Sequence, residues 1–333
     1  MKRILILLLL FCGVINAQSN IMKLINERRD PFRMTINAAS TTISMKGSGS
    51  IRVVWGDGSY TDYTLTSTAQ NVTHTYSVSA LYKIAIYNSQ KVTYWSSSDN
   101  AAYAFNWAGT QKMRLTYFYC YGSNTLSGAL TLPSGMTTFL CYGSNTLSGA
   151  LTLPSGMTTF YCVGSNTLSG TLSLPSGMTS FLCYGSNTLS GTLSLPSGMI
   201  SFQCAGSNTL SGTLSLPSGM TYFQCVGSNT LSGTLSLPSG MISFQCYGSN
   251  TLSGYSTQSF SNSMNYFYLI TSGGTGFDST AVNQICIDLD GSAWAGSDKT
   301  LRLTGTQMAA PTATSAAARA SLVVKGVTIT VNP

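Results

Sequence analysis

Cysteine is the residue type whose chemistry and spacing stand out in this sequence. Seven of the nine cysteines recur at intervals of 21 residues: Cys120, Cys141, Cys162, Cys183, Cys204, Cys225 and Cys246. On strands stacked about 4.8 Å apart their Cβ vectors run parallel, which disfavours disulfides, and thiolates in one straight row cannot surround a metal ion. We therefore expect a row of small buried thiols, with no metal site and no cofactor. The sequence leaves open whether any of them form disulfides.

The remaining candidates for acid–base or metal chemistry lie outside the cysteine repeat. His74 is the only histidine, and we expect a structural hydrogen-bonding role for it. The segment Asp288-x-Asp290-Gly is a fragment of a calcium loop that lacks the third acidic ligand and the distal Glu, so it indicates a turn. No Asp, Glu, His, Lys or Arg occurs between Arg114 and Asp278. Because this stretch has no general acid or base, we expect a protein that is not an enzyme.

The net charge limits the class of partner. The chain carries 16 basic and 9 acidic residues, and loss of Lys2 and Arg3 with a leader peptide leaves 14 basic residues and a net charge of about +5. Nucleic-acid binding requires clustered cations that displace counterions from the phosphates. Since the repeat contains no cation, we expect no nucleic-acid partner.

Two alternating stretches position the cysteines within each repeat. Phe139 and Cys141 alternate with other residues at the period of two that predicts a strand with one buried face. A second alternating stretch follows, written ALTLPSG or TLSLPSG. We predict one short strand per repeat, stacked in parallel on the next, with glycines and prolines such as Pro133 and Pro154 turning the chain between strands. A fixed period of this size is the signature of a solenoid.

From residue 115 to about residue 270 the pattern apolar-x-x-Phe-x-Cys, with a downstream Asn and Leu, resembles the leucine-rich repeats of bacterial surface proteins. The resemblance implies inward-facing Phe, Cys and Leu side chains, an Asn ladder that ties the corners to neighbouring backbone, and a strand-lined face for recognition. The spacing from Cys141 to Asn145 and Leu147 is one residue longer than in the commonest form of the motif. A plain three-sided β-helix therefore stays an alternative.

The N-terminal flank has its own motif. The segments WGDG, from Trp55 to Gly58, and HTYS, from His74 to Ser77, resemble the PKD-type β-sandwich of secreted bacterial proteins. The resemblance implies that both segments are turn and core signatures. We predict a strand before the Gly-Asp-Gly turn, a second strand after it and a third at LYKIAIY.

The C-terminal flank is predicted to alternate helices and strands. Asp278 or Ser279 caps the first helix, and a strand at KTLRLTG, a helix from about Thr314 to Lys325 and a strand at VTITVN follow. The apolar face of the first helix comprises Val282, Ile285, Cys286 and Leu289. We expect this unit to close the open end of the solenoid, where the last repeat would otherwise expose apolar core and unpaired backbone.

The first residues, MKRILILLLLFCGVINAQ, are typical of an export signal, so we expect a secreted or cell-surface protein. The bulky Phe11 disfavours lipid attachment at Cys12, and no other stretch is apolar over the about 20 residues that a membrane span needs. The predicted fold is mainly β, a leucine-rich-repeat-like parallel β-solenoid with an N-terminal β-sandwich-like domain and a small C-terminal α/β cap. The predicted segments are a signal peptide (1–17), a linker (18–30), a PKD-like β-sandwich (31–92), a connecting segment (93–114), a solenoid of seven regular repeats and one degenerate repeat (115–277) and the cap (278–333).

Variation between the repeats points to one surface. Gly-Ser-Asn-Thr-Leu-Ser-Gly is identical in all seven repeats, whereas substitutions collect immediately before and after the cysteine, at positions that point outward if the cysteine points inward. The predicted ligand-binding residues are Tyr117, Tyr119, Tyr121, Leu140, Tyr142, Tyr161, Leu182, Tyr184, Gln203, Gln224, Gln245 and Tyr247. Exposed aromatics beside amides suit a sugar ring or a peptide, so we expect a monomeric exported binding or adhesion protein for a glycan or protein ligand. Neutral drift on a solvated strand face is the competing interpretation.

Two other functions stay open. The repeats could serve as a passive spacer, since six intervals of about 4.8 Å span about 29 Å. Alternatively, hydroxyls could form an ice-binding face like that of some β-solenoid antifreeze proteins. The positions that would form it are Ala129 and Thr131, Ala150 and Thr152, Thr171 and Ser173, Thr192 and Ser194, Thr213 and Ser215, and Thr234 and Ser236.

Overall fold

A computed structural model describes most of the chain after residue 30. The described residues are 31–97, 102–107, 110, 113–122, 125–260, 264–273, 276–295 and 298–333. The predicted signal peptide and linker lie outside them. Among the described residues, no helix combines the length and the apolar character that a membrane crossing requires.

The N-terminal region is built on two long antiparallel strands. Strands β1 (Phe32–Gly47) and β4 (Gln70–Tyr87) pair along both halves, with a register break after Ala38. Strands β2 (Gly49–Val54) and β3 (Tyr60–Leu65) form a hairpin beside the second half of β4. The three predicted strands, before the Gly-Asp-Gly turn, after it and at LYKIAIY, correspond to β2, β3 and β4, but β4 begins earlier than predicted, at Gln70, and also contains HTYS.

Each repeat of the solenoid contributes strand residues to two parallel sheets. In chain order the strands are β5 (Val92–Ser97), β6 (Ala102–Asn106), β7 (Tyr117–Cys120), β8 (Thr125–Ala129), β9 (Thr138–Tyr142), β10 (Thr146–Ala150), β11 (Thr159–Thr171), β12 (Ser180–Gly185), β13 (Thr188–Thr192), β14 (Ser201–Thr213), β15 (Tyr222–Leu235), β16 (Ser243–Gly248) and β17 (Thr251–Tyr255). Strands β11, β14 and β15 continue around the corner and join both sheets.

Sheet 1 begins with β5, in which Trp95 and Ser97 occupy the Phe and Cys positions. The Phe-x-Cys strands follow it in the order β7, β9, β11, β12, β14, β15, β16. Its register places identical repeat positions side by side, as in Cys141 beside Cys162 and Cys183. Strand β1 pairs with β5 and also with β6, the first strand of the second sheet. The N-terminal region therefore covers the first edge of both sheets.

Sheet 2 corrects the prediction of the second alternating stretch. It begins with β6, and the Thr-Leu-Ser-Gly segments follow it in the order β8, β10, β11, β13, β14, β15, β17. The LPSGM segment is a turn, as predicted for Pro133 and its equivalents, and in it the carbonyl of Pro133 accepts a 2.9 Å hydrogen bond from the Met136 backbone N–H. Proline has no N–H to donate to a strand ladder, so the sheet ends before it. Each regular repeat thus has two strands where we predicted one.

Stacked identical side chains fill the interior. Successive phenylalanine rings from Phe118 to Phe267 have centroids 5.3–5.8 Å apart. The repeat cysteines are thiols and are wholly buried, which confirms that they are core residues. Burial raises the pKa of the Cys183 and Cys246 thiols to about 12, so these thiols stay protonated and behave as small apolar groups.

Buried asparagines form a ladder along the corner between the two sheets. The side-chain Oδ1 of Asn187 accepts a 2.9 Å hydrogen bond from the backbone N–H of Leu168 in the preceding repeat. The same contact recurs for Asn145, Asn166, Asn208, Asn229 and Asn250. This confirms the Asn ladder that the leucine-rich-repeat resemblance implied.

Glycine occupies the longer corner for a steric reason. Gly185 has φ near +151°, and a Cβ there would lie 2.7 Å from the carbonyl oxygen of Asn166. The register shifts at this point, so that Gly185 lies beside Asn166. The extra residue relative to the common motif is therefore accommodated as a bulge in which two repeats approach too closely for a side chain.

The C-terminal unit continues sheet 1. Strand β18 (Tyr266–Thr271) pairs with β16, and β19 (Thr300–Thr304) and β20 (Thr328–Val331) follow in parallel. Helices α1 (Ser279–Asp290) and α2 (Ala316–Val324) connect these three strands. The predicted helix–strand–helix–strand order and the Asp278 cap, whose carboxylate accepts a 2.8 Å hydrogen bond from the Ala281 amide, are confirmed. The fold is thus the predicted mainly β, leucine-rich-repeat-like parallel solenoid, with an antiparallel N-terminal region and a C-terminal unit of three parallel strands and two helices.

Candidate ligand-binding face

The outward side of sheet 1 gathers the predicted ligand-binding residues. The strands alternate, so the neighbours of each buried Phe and Cys point away from the core. The column before the cysteine holds Tyr119, Leu140, Tyr161, Leu182, Gln203, Gln224 and Gln245. The column after it holds Tyr121, Tyr142, Val163, Tyr184, Ala205, Val226 and Tyr247. Tyr117 begins a third column, beside Thr138 and Thr159.

The first repeats form an N-terminal aromatic patch, which we define as Tyr94, Tyr117, Tyr119, Tyr121, Tyr142 and Tyr161. The rings of Tyr94 and Tyr117 stack at 4.6 Å, and the edge-to-face pairs Tyr121–Tyr142 and Tyr142–Tyr161 have centroids 6.0 and 6.2 Å apart. Tyr121 is 53% exposed. The ammonium of Lys46 on β1 lies 5.0 Å from the centroid of the Tyr94 ring. Both Tyr94 and Lys46 were missed in the sequence because they come from the N-terminal region.

Amides and hydroxyls fill the middle of the face. The Tyr184 hydroxyl is 2.7 Å from Oε1 of Gln203 and also contacts Oε1 of Gln224. Gln224 in turn donates a 3.3 Å hydrogen bond to Gln245. The Tyr161 hydroxyl and the Ser180 hydroxyl lie 2.8 Å apart. These polar groups are therefore held in place by one another across adjacent strands.

A second aromatic patch lies at the other end of the face. We define the C-terminal aromatic patch as Tyr247, Tyr266 and Tyr268. Tyr247 and Tyr268 stack at 6.0 Å, and Tyr266 meets Tyr268 edge-to-face at 5.7 Å. Arg302 lies beside Tyr268 in the register of β19.

Only Tyr247 of the C-terminal patch was predicted. The signal was present, because YFYLI at residues 266–270 repeats the alternation of YFYCY at residues 117–121. It was missed because Leu269 replaces the cysteine and Phe267 follows Phe244 by 23 residues instead of 21.

Four tyrosines of this face have raised pKa values. Burial, with Tyr161 and Tyr119 nearby, raises the pKa of Tyr142 to about 12. Burial and Tyr268 raise the pKa of Tyr247 to about 12, against the opposing effect of Arg302. Burial also raises the pKa of Tyr117 and Tyr184. These four rings thus present an apolar surface for stacking and, at its end, a hydroxyl that keeps its proton near neutral pH.

His74 lies away from this face and has structural contacts. Its Nε2 is 2.7 Å from Oδ2 of Asp57, and its ring stacks on Trp55 at 4.6 Å. The Tyr76 hydroxyl donates a 3.0 Å hydrogen bond to the carbonyl of Trp55. Asp57 accepts hydrogen bonds from the Ser59 hydroxyl, the Ser59 amide and His74, which hold its pKa below the usual range. The WGDG and HTYS segments therefore meet in one turn-and-core cluster.

The acidic residues of α1 also have protein partners. Asp288 accepts hydrogen bonds from the Gln258 amide at 2.8 Å and from Gln284 at 2.7 Å, and Asp290 pairs with Lys325 at 2.8 Å. Within the described ranges, no group of three or more His, Cys, Asp or Glu side chains is arranged to hold a metal ion.

One small cleft lies in the N-terminal region. It has a volume of about 210 Å³ and is lined by Arg33, Met34, Thr35, Lys83, Ile84 and Ala104. Pockets for small molecules usually measure about 300–1,000 Å³. The open face of sheet 1 is therefore the better candidate for recognition.

Comparison with known proteins adds one structural neighbour. No protein-family model matches the chain, and no curated protein sequence matches it. YopM from Yersinia enterocolitica WA-314 is similar in structure, with a TM-score of 0.33 and 19% sequence identity over 49% of this chain. The matched part spans 39% of YopM.

Proposed function

We propose that this chain is an exported, monomeric binding protein, secreted or displayed at the cell surface, that recognises an extended glycan or a protein ligand through the outward face of sheet 1. The observation that carries the proposal is the pair of aromatic patches on one face of a scaffold whose other repeat positions are nearly invariant. Tyr121 is exposed and the other rings of the two patches are half-buried, and contiguous apolar surface that stays accessible on a monomer is typical of an interaction site.

The polar middle of the face supports the proposal over neutral drift. Drift on a solvated strand surface does not require that the variable side chains contact one another. Here Tyr184 contacts two glutamines of later repeats, and Gln224 contacts Gln245. Side chains held by such contacts lose less rotamer freedom when a ligand binds, which is the usual advantage of a preorganised site.

The hydroxyl positions offer weaker support for ice binding. Thr171 ends β11, whereas Ser173 lies beyond the strand, and the same holds for Thr192 and Ser194. Only one of the two predicted columns therefore belongs to the strands of sheet 2.

Substitution of the N-terminal aromatic patch tests the proposal. The mature chain is first applied to an array of glycans and peptides, and the best probe is then titrated against a variant in which Tyr119, Tyr121, Tyr142 and Tyr161 are replaced by Ser. Loss of a binding anchor costs more than about 1 kcal/mol, so the fourfold variant should lose measurable binding and keep its fold by circular dichroism.

A matched control changes the opposite side of each repeat. Replacement of Thr171, Thr192, Thr213 and Thr234 by Val should leave binding of the same probe intact. If the tyrosine variant binds as tightly as the parent, the proposed face is wrong. If the array shows no binding to any glycan or peptide, the spacer function replaces the proposal. If the threonine variant loses a thermal hysteresis that the parent shows, ice binding replaces it.

A further inference from the structure

We propose that the ligand of this face is a linear polysaccharide that carries carboxylate groups, with Lys46 and Arg302 as cationic contacts near its two ends and the two aromatic patches stacking on sugar rings between them. This inference rests on the proposed function of the face and goes further by naming the chemistry of its ligand.

The charges of the face favour an acidic ligand. Among the described residues, the outward columns of sheet 1 and the adjoining segment of β1 contain two charged side chains, Lys46 and Arg302, and no carboxylate. Arg302 donates a 3.3 Å hydrogen bond to the Thr304 hydroxyl, and Lys46 lies over the Tyr94 ring. Neither cation forms one of the ion pairs found within the described part of the chain.

The acidic residues of the described chain lie elsewhere. Asp57 and Asp62 contact His74 and Arg52 in the N-terminal region. The remaining four belong to the C-terminal unit. Asp278 caps α1, Asp288 and Asp290 lie on that helix, and Asp298 precedes β19. A carboxylate on a ligand therefore finds cations on this face and no like charge within its columns.

The shape of the face favours a linear polymer. From β1 to β19 there are ten strand-to-strand steps, which at about 4.8 Å each give a length of about 48 Å. Three columns two residues apart along a strand give a width of only about 13 Å. A long, narrow strip of this kind matches an extended chain better than the compact footprint of a globular partner.

The residue types on the strip favour sugars over other linear polyanions. Nucleic acid presents a negative charge about every 1.7 Å of duplex and requires many clustered cations, whereas this face has one at each end. An extended peptide is usually bound at a sheet edge with pockets for alternate side chains. Here the surface carries flat rings, amides and hydroxyls beside aliphatic side chains such as Leu140 and Leu182. The rings suit the apolar faces of sugars, and the amides and hydroxyls suit their hydroxyl groups.

Polygalacturonate and its fully methyl-esterified form make the decisive pair of probes, because they share one backbone and differ in charge. The full mature chain is titrated with both by isothermal calorimetry at low and at high salt. We expect tighter binding of the acidic form at low salt and loss of that preference at high salt, since exposed charges are screened.

Single substitutions locate the charge contact. Arg302→Gln and Lys46→Gln should each weaken binding of polygalacturonate by about 1.5- to 5-fold, the range for an exposed ion pair, and leave binding of the methyl ester unchanged. Lys83→Gln is the matched control, because Lys83 lines the small cleft of the N-terminal region and carries the same charge. It should bind both forms like the parent.

The outcomes separate this inference from the proposed function. Equal binding of the acid and the ester, or equal behaviour of Arg302→Gln, Lys46→Gln and Lys83→Gln, overturns the acidic polysaccharide. Binding of polyglutamate without binding of polygalacturonate overturns it in favour of an acidic peptide. In each of these cases the proposed face survives if the fourfold tyrosine variant still loses its probe, and it fails if that variant binds normally.

Discussion

The N-terminal region and the solenoid are stabilised in different ways. In the N-terminal region each contact occurs once, as in the bidentate pair of Arg52 with Asp62 and the cluster of Asp57, His74 and Trp55. In the solenoid a few uncharged contacts recur in every repeat, including the stacked phenylalanines and the Asn ladder. Because the interior contacts are the same in every repeat, the outward positions of sheet 1 can vary without loss of the fold. A repeated interior thus leaves one surface free to specialise.

The largest expected difference between the two regions follows from Phe202→Ala. Phe202 is wholly buried and stacks between Phe181 at 5.4 Å and Phe223 at 5.8 Å. The substitution should cost about 3–5 kcal/mol of unfolding free energy, because it leaves a cavity between two rings. Hydrogen exchange should show lost protection in the neighbouring repeats and retained protection in β1 and β4, since a solenoid is stabilised mainly by nearest-neighbour contacts.

The control for this substitution lies on the outward side of the same sheet. Tyr222 is 39% exposed, so Tyr222→Ala should change the unfolding free energy by no more than about 0.5 kcal/mol. If Phe202→Ala lowers protection equally in β1, β4 and the repeats, the two regions unfold as one unit and the contrast between them is wrong.

A smaller effect is expected from Asn208→Ala. The substitution removes the acceptor for the Leu189 amide, a 2.9 Å hydrogen bond in a buried corner. An unpaired buried N–H costs about 1–3 kcal/mol. Ser207→Ala is the matched control, because Ser207 is the exposed neighbour and should be nearly neutral. Urea unfolding of both variants measures the difference, and an equal midpoint for the two would show that the ladder does not stabilise the corner.

The sequence predicted the parts of the solenoid that depend on local alternation. Phe139 and Cys141 fix which side of sheet 1 faces inward, and with it the outward columns of the candidate site. The strands of sheet 2 were misplaced because Leu-Thr-Leu before Pro133 alternates as strongly as Thr-Leu-Ser. The turn predicted at Pro133 is present, and it keeps the alternating Leu-Thr-Leu segment before it from joining the sheet as a strand.

The ends of the candidate site depend on tertiary pairing and were therefore missed. Tyr94 and Lys46 reach the face because β1 pairs with β5 and β5 with β7. Tyr268 and Arg302 reach it through β18 and β19, which extend sheet 1 beyond the regular repeats. Neither connection follows from a spacing of 21 residues, since both lie where the repeat has been lost.

The smallest expected effect concerns stability at acid pH. It should appear in the N-terminal region, which contains Asp57, and not in the uncharged repeats. The hydrogen bonds from Ser59 and His74 hold the pKa of Asp57 below its usual range in the folded state, whereas an unfolded Asp titrates near pH 3.9. A lowered folded-state pKa means that the stabilisation is present above about pH 4 and is lost as the pH falls below that value. The regular repeats have no acidic side chain, so their own contacts carry no such dependence.

Asp57→Asn tests this difference between the regions. Between about pH 5 and pH 2, hydrogen-exchange protection of β2 and β4 should fall more in the parent than in the variant, because only the parent loses a charged acceptor. Protection of β12 to β15 should be the same in both proteins across this range. The effect should be modest, since Asp57 is accessible to solvent and its interactions are screened. If the protection of β2 and β4 falls equally with pH in the parent and the variant, the charge of Asp57 does not stabilise this region.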